Sequence, residues 1–285
     1  SDDLTGVNLE KADLRGATLT STDLEDAILT GANLGKNGNT ATNLTGATLT
    51  NAKLSKADLT GANLTNANLT GADLTGVDLT GTTLTSATFS PTTNLTSTTL
   101  AGATLTSADL TGVDLEKADL SGANLQLADL EDAILTGANL TGGNRTGTTF
   151  TNAKLSKADL TGANLTNANL TGADLTGVDL SGTTLTSATF SPTTNLTSTT
   201  LTGATLTSAD LTGVDLEKAD LSGANLQLAD LEDAILTGTN LTGGNLTGTT
   251  FTNAKLSKAD LTGADLGKSG STATNLTGAT LTNAK

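Results

Sequence analysis

From Leu4 to Leu281 a large apolar residue returns at nearly every fifth position, with a small residue, most often Ala, two places before it. The other three positions are polar or Gly, as in Ala57-Asp58-Leu59-Thr60-Gly61 and Ala62-Asn63-Leu64-Thr65-Asn66. A period of five fits neither the helix period near 3.6 nor the strand period of 2. Gly, Asn, Asp and Thr in every unit oppose a long helix, and Thr favours extended backbone. Two inward positions and three outward ones describe a short extended segment followed by a corner. Gly two places after the Leu, as at Gly61, Gly71 and Gly76, suits such a corner because it tolerates unusual backbone angles. The Asp or Asn before each Leu has a side chain short enough to bond the turn's backbone. A unit this small buries its Leu only against copies above and below it, so the pattern predicts an all-β solenoid, read as one continuous body over 1–285.

Run end to end, these units resemble the pentapeptide-repeat family. The resemblance implies a right-handed quadrilateral (four-sided) parallel β-helix, with one pentapeptide per side and four per coil. Leu59, Leu64, Leu69 and Leu74 then point inward on four successive sides. The family often places Phe as well as Leu at the central position, and commonly carries terminal helices or other caps, a pattern this sequence does not show.

The frame holds from Leu4 to Phe89, slips by one residue at Ser90-Pro91-Thr92-Thr93-Asn94, and slips again at Ser191-Pro192-Thr193-Thr194-Asn195. It contains 56 central slots, 49 of them Leu. At four slots each that predicts about 14 coils and, at the strand spacing, a rod about 67 Å long. Burial of each Leu, at roughly 1.5–3 kcal/mol, is the dominant stabilising term, and chain entropy opposes most of it. Pro91 and Pro192 lack an N–H to give a ladder, which predicts one-residue bulges at a corner, five coils apart on the same edge. Phe89, Phe150, Phe190 and Phe251 are separated by multiples of four slots and are expected inward on one side.

A longer repeat lies above the short one. Residues 51–151 and 152–252 differ only at Thr80/Ser181, Ala101/Thr202, Ala138/Thr239 and Arg145/Leu246. Their offset of 101 residues is twenty pentapeptides and one slip, or five whole coils, so each copy presents the same surface. The segment from Gly35 to Thr42 recurs in altered form from Gly267 to Thr274. Its central slots, Asn39 and Ser271, read as bulges in which one side of the coil loops outward. Arg145 stands in a Leu slot, and because an unpaired buried guanidinium is costly, the Gly142-Gly143-Asn144 stretch is expected to let its side chain escape to solvent. The pattern stops in mid-repeat, and uncovered Leu with unpaired edges around Leu9 and Leu281 predicts either a longer chain or end-to-end stacking of copies.

Composition narrows the chemistry. There is no Cys and no His, which removes thiolate and imidazole chemistry. Ser, Thr, Asp, Glu and Lys recur as letters of the repeat and form no local constellation. No catalytic residue, cofactor or metal site is predicted, and the chain is not expected to be an enzyme. With 14 basic against 29 acidic residues and a net charge of -15, direct nucleic-acid binding is disfavoured. No run of 18 apolar residues marks a membrane span. Carboxylates one coil apart, such as Asp58 and Asp78, do not have the spacing of a calcium loop. Thr pairs at Thr83/Thr85, Thr104/Thr106, Thr184/Thr186 and Thr205/Thr207 fall on one side and suggest an ice-binding alternative. Asn-Leu-Thr triplets such as those at Asn43, Asn63 and Asn68 match the glycosylation acceptor by construction of the repeat.

Near-identical duplicated coils point to selection for length and a repeated surface. The reading is a non-catalytic structural rod, a segment of an extracellular or cell-surface fibre, sheath or adhesin stalk. The second reading is an acidic DNA mimic acting on a type II topoisomerase, as some members of the family are, and it implies a cytoplasmic protein. Ice or cation binding through Thr or Asp ladders is third.

Overall fold

A computed structural model describes residues 2–285 as two compact units, the first ending at Asn144 and the second spanning Arg145–Lys285. In the first unit, single-residue parallel bridges join positions 20 residues apart: Asn43 to Asn63, Thr48 to Asn68, Lys53 to Asp73 and Asp58 to Asp78. The second repeats the arrangement, with Thr149 to Asn169, Lys154 to Asp174, Asp159 to Asp179 and Asn164 to Thr184. Twenty residues at five per repeat give four sides to a regular coil. Each extended stretch is one bridge long because the remaining residues of the pentapeptide are spent on the corner.

The backbone explains why the word has five letters. In the pentapeptide 62–66, the Ala62 N–H closes the corner on the Leu59 carbonyl at 2.9 Å, Asn63 N–H donates to Thr42 in the preceding coil at 2.9 Å, and Leu64 N–H donates to Asn63's successor, Thr83, at 2.7 Å. Asn66 N–H reaches the Thr85 carbonyl at 2.9 Å. Thr65 N–H has no main-chain partner and is accepted by the Asn63 side-chain Oδ1 at 3.0 Å. Every donor is thereby satisfied, as a half-buried wall requires. The Asp or Asn before the Leu is therefore structural: it supplies the one acceptor the stacked coils do not. The corner residue takes a left-handed conformation, with φ of 64° at Gly61 and 57° at Asn66. Gly adopts that region without a Cβ penalty, and Asn is the side chain that tolerates it best.

The core is Ala and Leu in close stacks. Leu59, Leu64, Leu69 and Leu74 are wholly buried and follow the bridge residues Asp58, Asn63, Asn68 and Asp73, which belong to four different ladders. Where Thr replaces the inward Ala, its hydroxyl donates to a Leu carbonyl, as Thr183 does to Leu180 and Thr199 to Leu196, both at 2.7 Å. These carbonyls already accept the corner N–H, so the hydroxyl uses their second lone pair.

Candidate functional site

With four sides per coil, each unit offers four outward faces. On the Leu59 side of the first unit the ladder runs Asp13, Asn33, Asp58, Asp78, Thr99, Asp119 and Asn139. It is a column rich in carboxylates. Asp13 is bound by the Arg15 side chain at 2.8 and 2.7 Å, and these hydrogen bonds hold its carboxyl down to about 2. On the Leu64 side the ladder is Thr18, Asn43, Asn63, Thr83, Thr104 and Asn124, with no charged residue. Among the described residues no three acidic side chains converge as a metal site would require, and no pocket interrupts the surface.

The aromatic residues sit inside. In the second unit the ladder Thr149, Asn169, Thr189, Asp210, Asp230 and Thr250 places Phe150, Phe190 and Phe251 in one inward stack, at most 4% exposed. In the first unit Phe89 is 3% exposed and follows Thr88, which bridges Asn68, so it stacks against Leu69.

The regular wall is broken in two ways. After Phe89 the bridges step by 21 residues, as from Asp73 to Asn94, and Pro91 lies in the added corner. Gly71 N–H then meets Ser90 Oγ at 3.1 Å and Thr93 Oγ1 at 3.2 Å where a regular corner offers a carbonyl. Thr93 in turn donates to Leu69 at 2.9 Å. Pro192 sits in the matching corner of the second unit, where Gly172 N–H is met by Ser191 and Thr194. Pro91 also packs over Gly112, whose Cβ, were there one, would stand 2.9 Å from the proline Cγ.

The second kind of break corrects the slot count. Bridges from Thr18 to Asn43 and from Thr250 to Asn275 step by 25 residues. Asn39 and Ser271 are exposed and occupy no side of a coil. A whole pentapeptide is extruded at each of these corners, so two of the 56 slots from which 14 coils were counted belong to loops. The first loop is pinned by Asn37 and Thr40; the second is a two-stranded hairpin of Lys268–Ser269 and Thr272–Ala273. At each base a buried or half-buried Thr again takes the corner N–H, Gly16 to Thr42 at 2.9 Å and Gly248 to Thr274 at 3.1 Å.

Arg145 requires a second correction. Its side chain does not reach solvent: it is wholly buried, and burial pushes its pKa down to about 10. Its backbone keeps the register of an ordinary central residue, with N–H donating to Asn164 at 2.8 Å and C=O accepting from Thr148 at 3.1 Å. A register held at both ends by the wall directs the side chain inward whatever its chemistry.

Sequence reasoning overlooked Leu127 and Leu228. Both are exposed, by 61% and 40%, and both hold a left-handed corner with φ of 58° and 60°. A bulky apolar residue there is uncommon. The signal was present: Gln126-Leu127 and Gln227-Leu228 replace the Thr-Gly, Thr-Asn or Thr-Ser used at neighbouring corners.

No curated protein matches the sequence. Among solved structures, HetL, a pentapeptide repeat protein involved in heterocyst differentiation regulation from the cyanobacterium Nostoc sp., is 34% identical, covering 79% of this chain and 89% of its own, with a TM-score of 0.26. QnrB1, a plasmid-mediated fluoroquinolone resistance protein, is 18% identical in its full-length form, covering 76% and 92%, with a TM-score of 0.30. A pentapeptide repeat protein from the Arabidopsis thaliana thylakoid lumen is 26% identical, covering 50% and 66%, with a TM-score of 0.23. The profile of pentapeptide repeats matches eight times, at residues 3–35, 42–81, 63–90, 93–126, 115–152, 153–191, 194–227 and 229–267. Matches stop at 35, 90, 191 and 267, where the structure adds residues to a corner. The family's right-handed quadrilateral β-helix accounts for the four-sided coils of each unit, and the chain belongs to the pentapeptide-repeat family.

Proposed function

We propose that the protein is a non-catalytic structural element, a repeated segment of an extracellular or cell-surface fibre, sheath or stalk that associates end to end or continues in a longer chain. The observation that carries this reading is the hydrogen-bond pattern of the coil. Four of the five donors of pentapeptide 62–66 are taken up by main-chain acceptors, three of them in adjacent coils, so every coil is a template for the next. The near-identical segments 51–151 and 152–252 reproduce that template and its surface, as a protein selected for length would. Electron microscopy with sedimentation of the purified chain tests it. Filaments that lengthen with concentration support the reading; a monodisperse monomer at high concentration overturns it.

A second reading is favoured by the carboxylate column containing Asp58, Asp78 and Asp119. Together with a net charge of -15, it suits an acidic surface that imitates DNA before a topoisomerase. Protection or inhibition of gyrase supercoiling by the monomer, abolished by Asp58→Asn with Asp78→Asn, distinguishes this reading from the first.

A further inference from the structure

The Leu64 side of the first unit carries no charge along its whole ladder, from Thr18 to Asn124, in a chain with 14 basic and 29 acidic residues. Its second column, Thr20, Thr45, Thr65, Thr85, Thr106 and Gln126, is equally neutral. From Asn43 to Gln126 the outward residues of both columns are all half-buried. The second unit repeats it on the Leu165 side, where the ladder is neutral through Asn164, Thr184, Thr205, Asn225 and Asn245 and ends on the exposed Asp265. The hydroxyls of Thr83, Thr85, Thr104 and Thr106 engage no other protein group, whereas those of Thr45 and Thr65 lower on the same face are spent on Asn43 and Asn63, both at 2.7 Å. At the edge of the same face, in each unit, stands one of the two exposed leucines held at positive φ, Leu127 and Leu228.

We propose that this neutral Thr/Asn face binds ice. Stacked coils repeat the hydroxyls at about 4.8 Å, and the two columns of one coil stand roughly 6.6 Å apart. Both distances lie close to the oxygen repeats along the two axes of a prism plane of hexagonal ice. A charged side chain would keep its own hydration shell in place of the lattice, which explains its exclusion from this side of the first unit and, in the second, from every rung before Asp265. Methyl groups of Thr and the exposed leucine hold adjacent water in an ordered layer, and free hydroxyls anchor it. A protein partner would be expected to exploit the charged faces, whose fields guide association. A solid made of water gains nothing from them.

The test is ice-affinity partitioning of the whole chain, with inhibition of ice recrystallisation as a second readout. Thr85→Lys with Thr106→Lys and Thr186→Lys with Thr207→Lys disrupt the face in both units. Thr75→Lys with Thr96→Lys makes the same chemical change on the Leu74 side, and circular dichroism checks that each variant folds. The expected result is that wild type and the Leu74-side variant partition into ice, and that the face variants fall at least tenfold. Exclusion of wild type from ice, or equal loss in the Leu74-side control, overturns the proposal. So does a wild-type dimer that the face lysines dissociate without any ice partitioning, which assigns the face to a second copy of the chain.

Discussion

A regular coil and an interrupted one differ in how the same N–H finds its acceptor. At Gly61 the corner donates to the Thr80 carbonyl of the next coil at 2.9 Å. At Gly71 the added residue of the Pro91 corner displaces that carbonyl, and the Thr93 and Ser90 hydroxyls take its place. The five-residue loop at Asn39 is accommodated in the same way, through Thr42. The wall thus absorbs extra chain only at corners, and only where a Thr in the inward small-residue position supplies an oxygen. The sides admit no such change, because a side is defined by its ladder to the coils above and below.

The largest effect should come from the sides. Leu64→Ala leaves a cavity in a regular stack and is expected to lower stability by about 2–5 kcal/mol, measured by urea denaturation of the whole chain. Arg145→Leu sharpens the point in the opposite direction. It replaces a buried guanidinium by the residue found at Leu246 in the other copy and is expected to raise stability by about 1–4 kcal/mol; a lowered midpoint would show that Arg145 holds the core together.

The corners come next. Thr93→Val keeps the shape but removes the acceptor used by Gly71 and Ser90, and should cost about 1–3 kcal/mol, whereas Thr45→Val on an outward face should change little. Gly76→Ala pays only for a Cβ at φ 64° with nothing near it, about 1–2 kcal/mol. Gly112→Ala should cost more, because the new methyl also meets Pro91; equal midpoints for the two variants would show that the proline corner yields freely. Smallest of all is deletion of residues 37–41, which returns a 25-residue coil to 20 residues with Lys36 at the corner, as Lys56 is at φ 61°. Closing a shorter loop changes the entropy by less than about 1 kcal/mol, so the thermal midpoint should move by only a few degrees.

Which residues face inward was legible from the sequence, since Ala62 and Leu64 differ from Asn63 and Thr65 in the property that decides burial. The corner was legible too, because Gly61 and Asn66 are the residue types that tolerate a left-handed backbone. Four repeats per coil came from family resemblance, not from periodicity, which states how often Leu returns but not how far the chain turns between returns. Three features were decided only by the tertiary structure. Asn39 occupies a slot in the count but none in a coil, because a side exists only where its residues pair in register with Thr18 and its neighbours. Arg145 is buried although its chemistry argues for water, since hydrogen bonds to Asn164 and Thr148 hold its backbone as they would a leucine's. Thr42, Thr93, Thr194 and Thr274 read as conservative exchanges for Ala, yet the first three replace a carbonyl displaced by inserted chain, and Thr274 shares the Gly248 N–H with the Gly267 carbonyl. Local pattern determines the direction of a side chain; the bond it completes depends on a coil some twenty residues away, which the pattern of a single repeat does not contain.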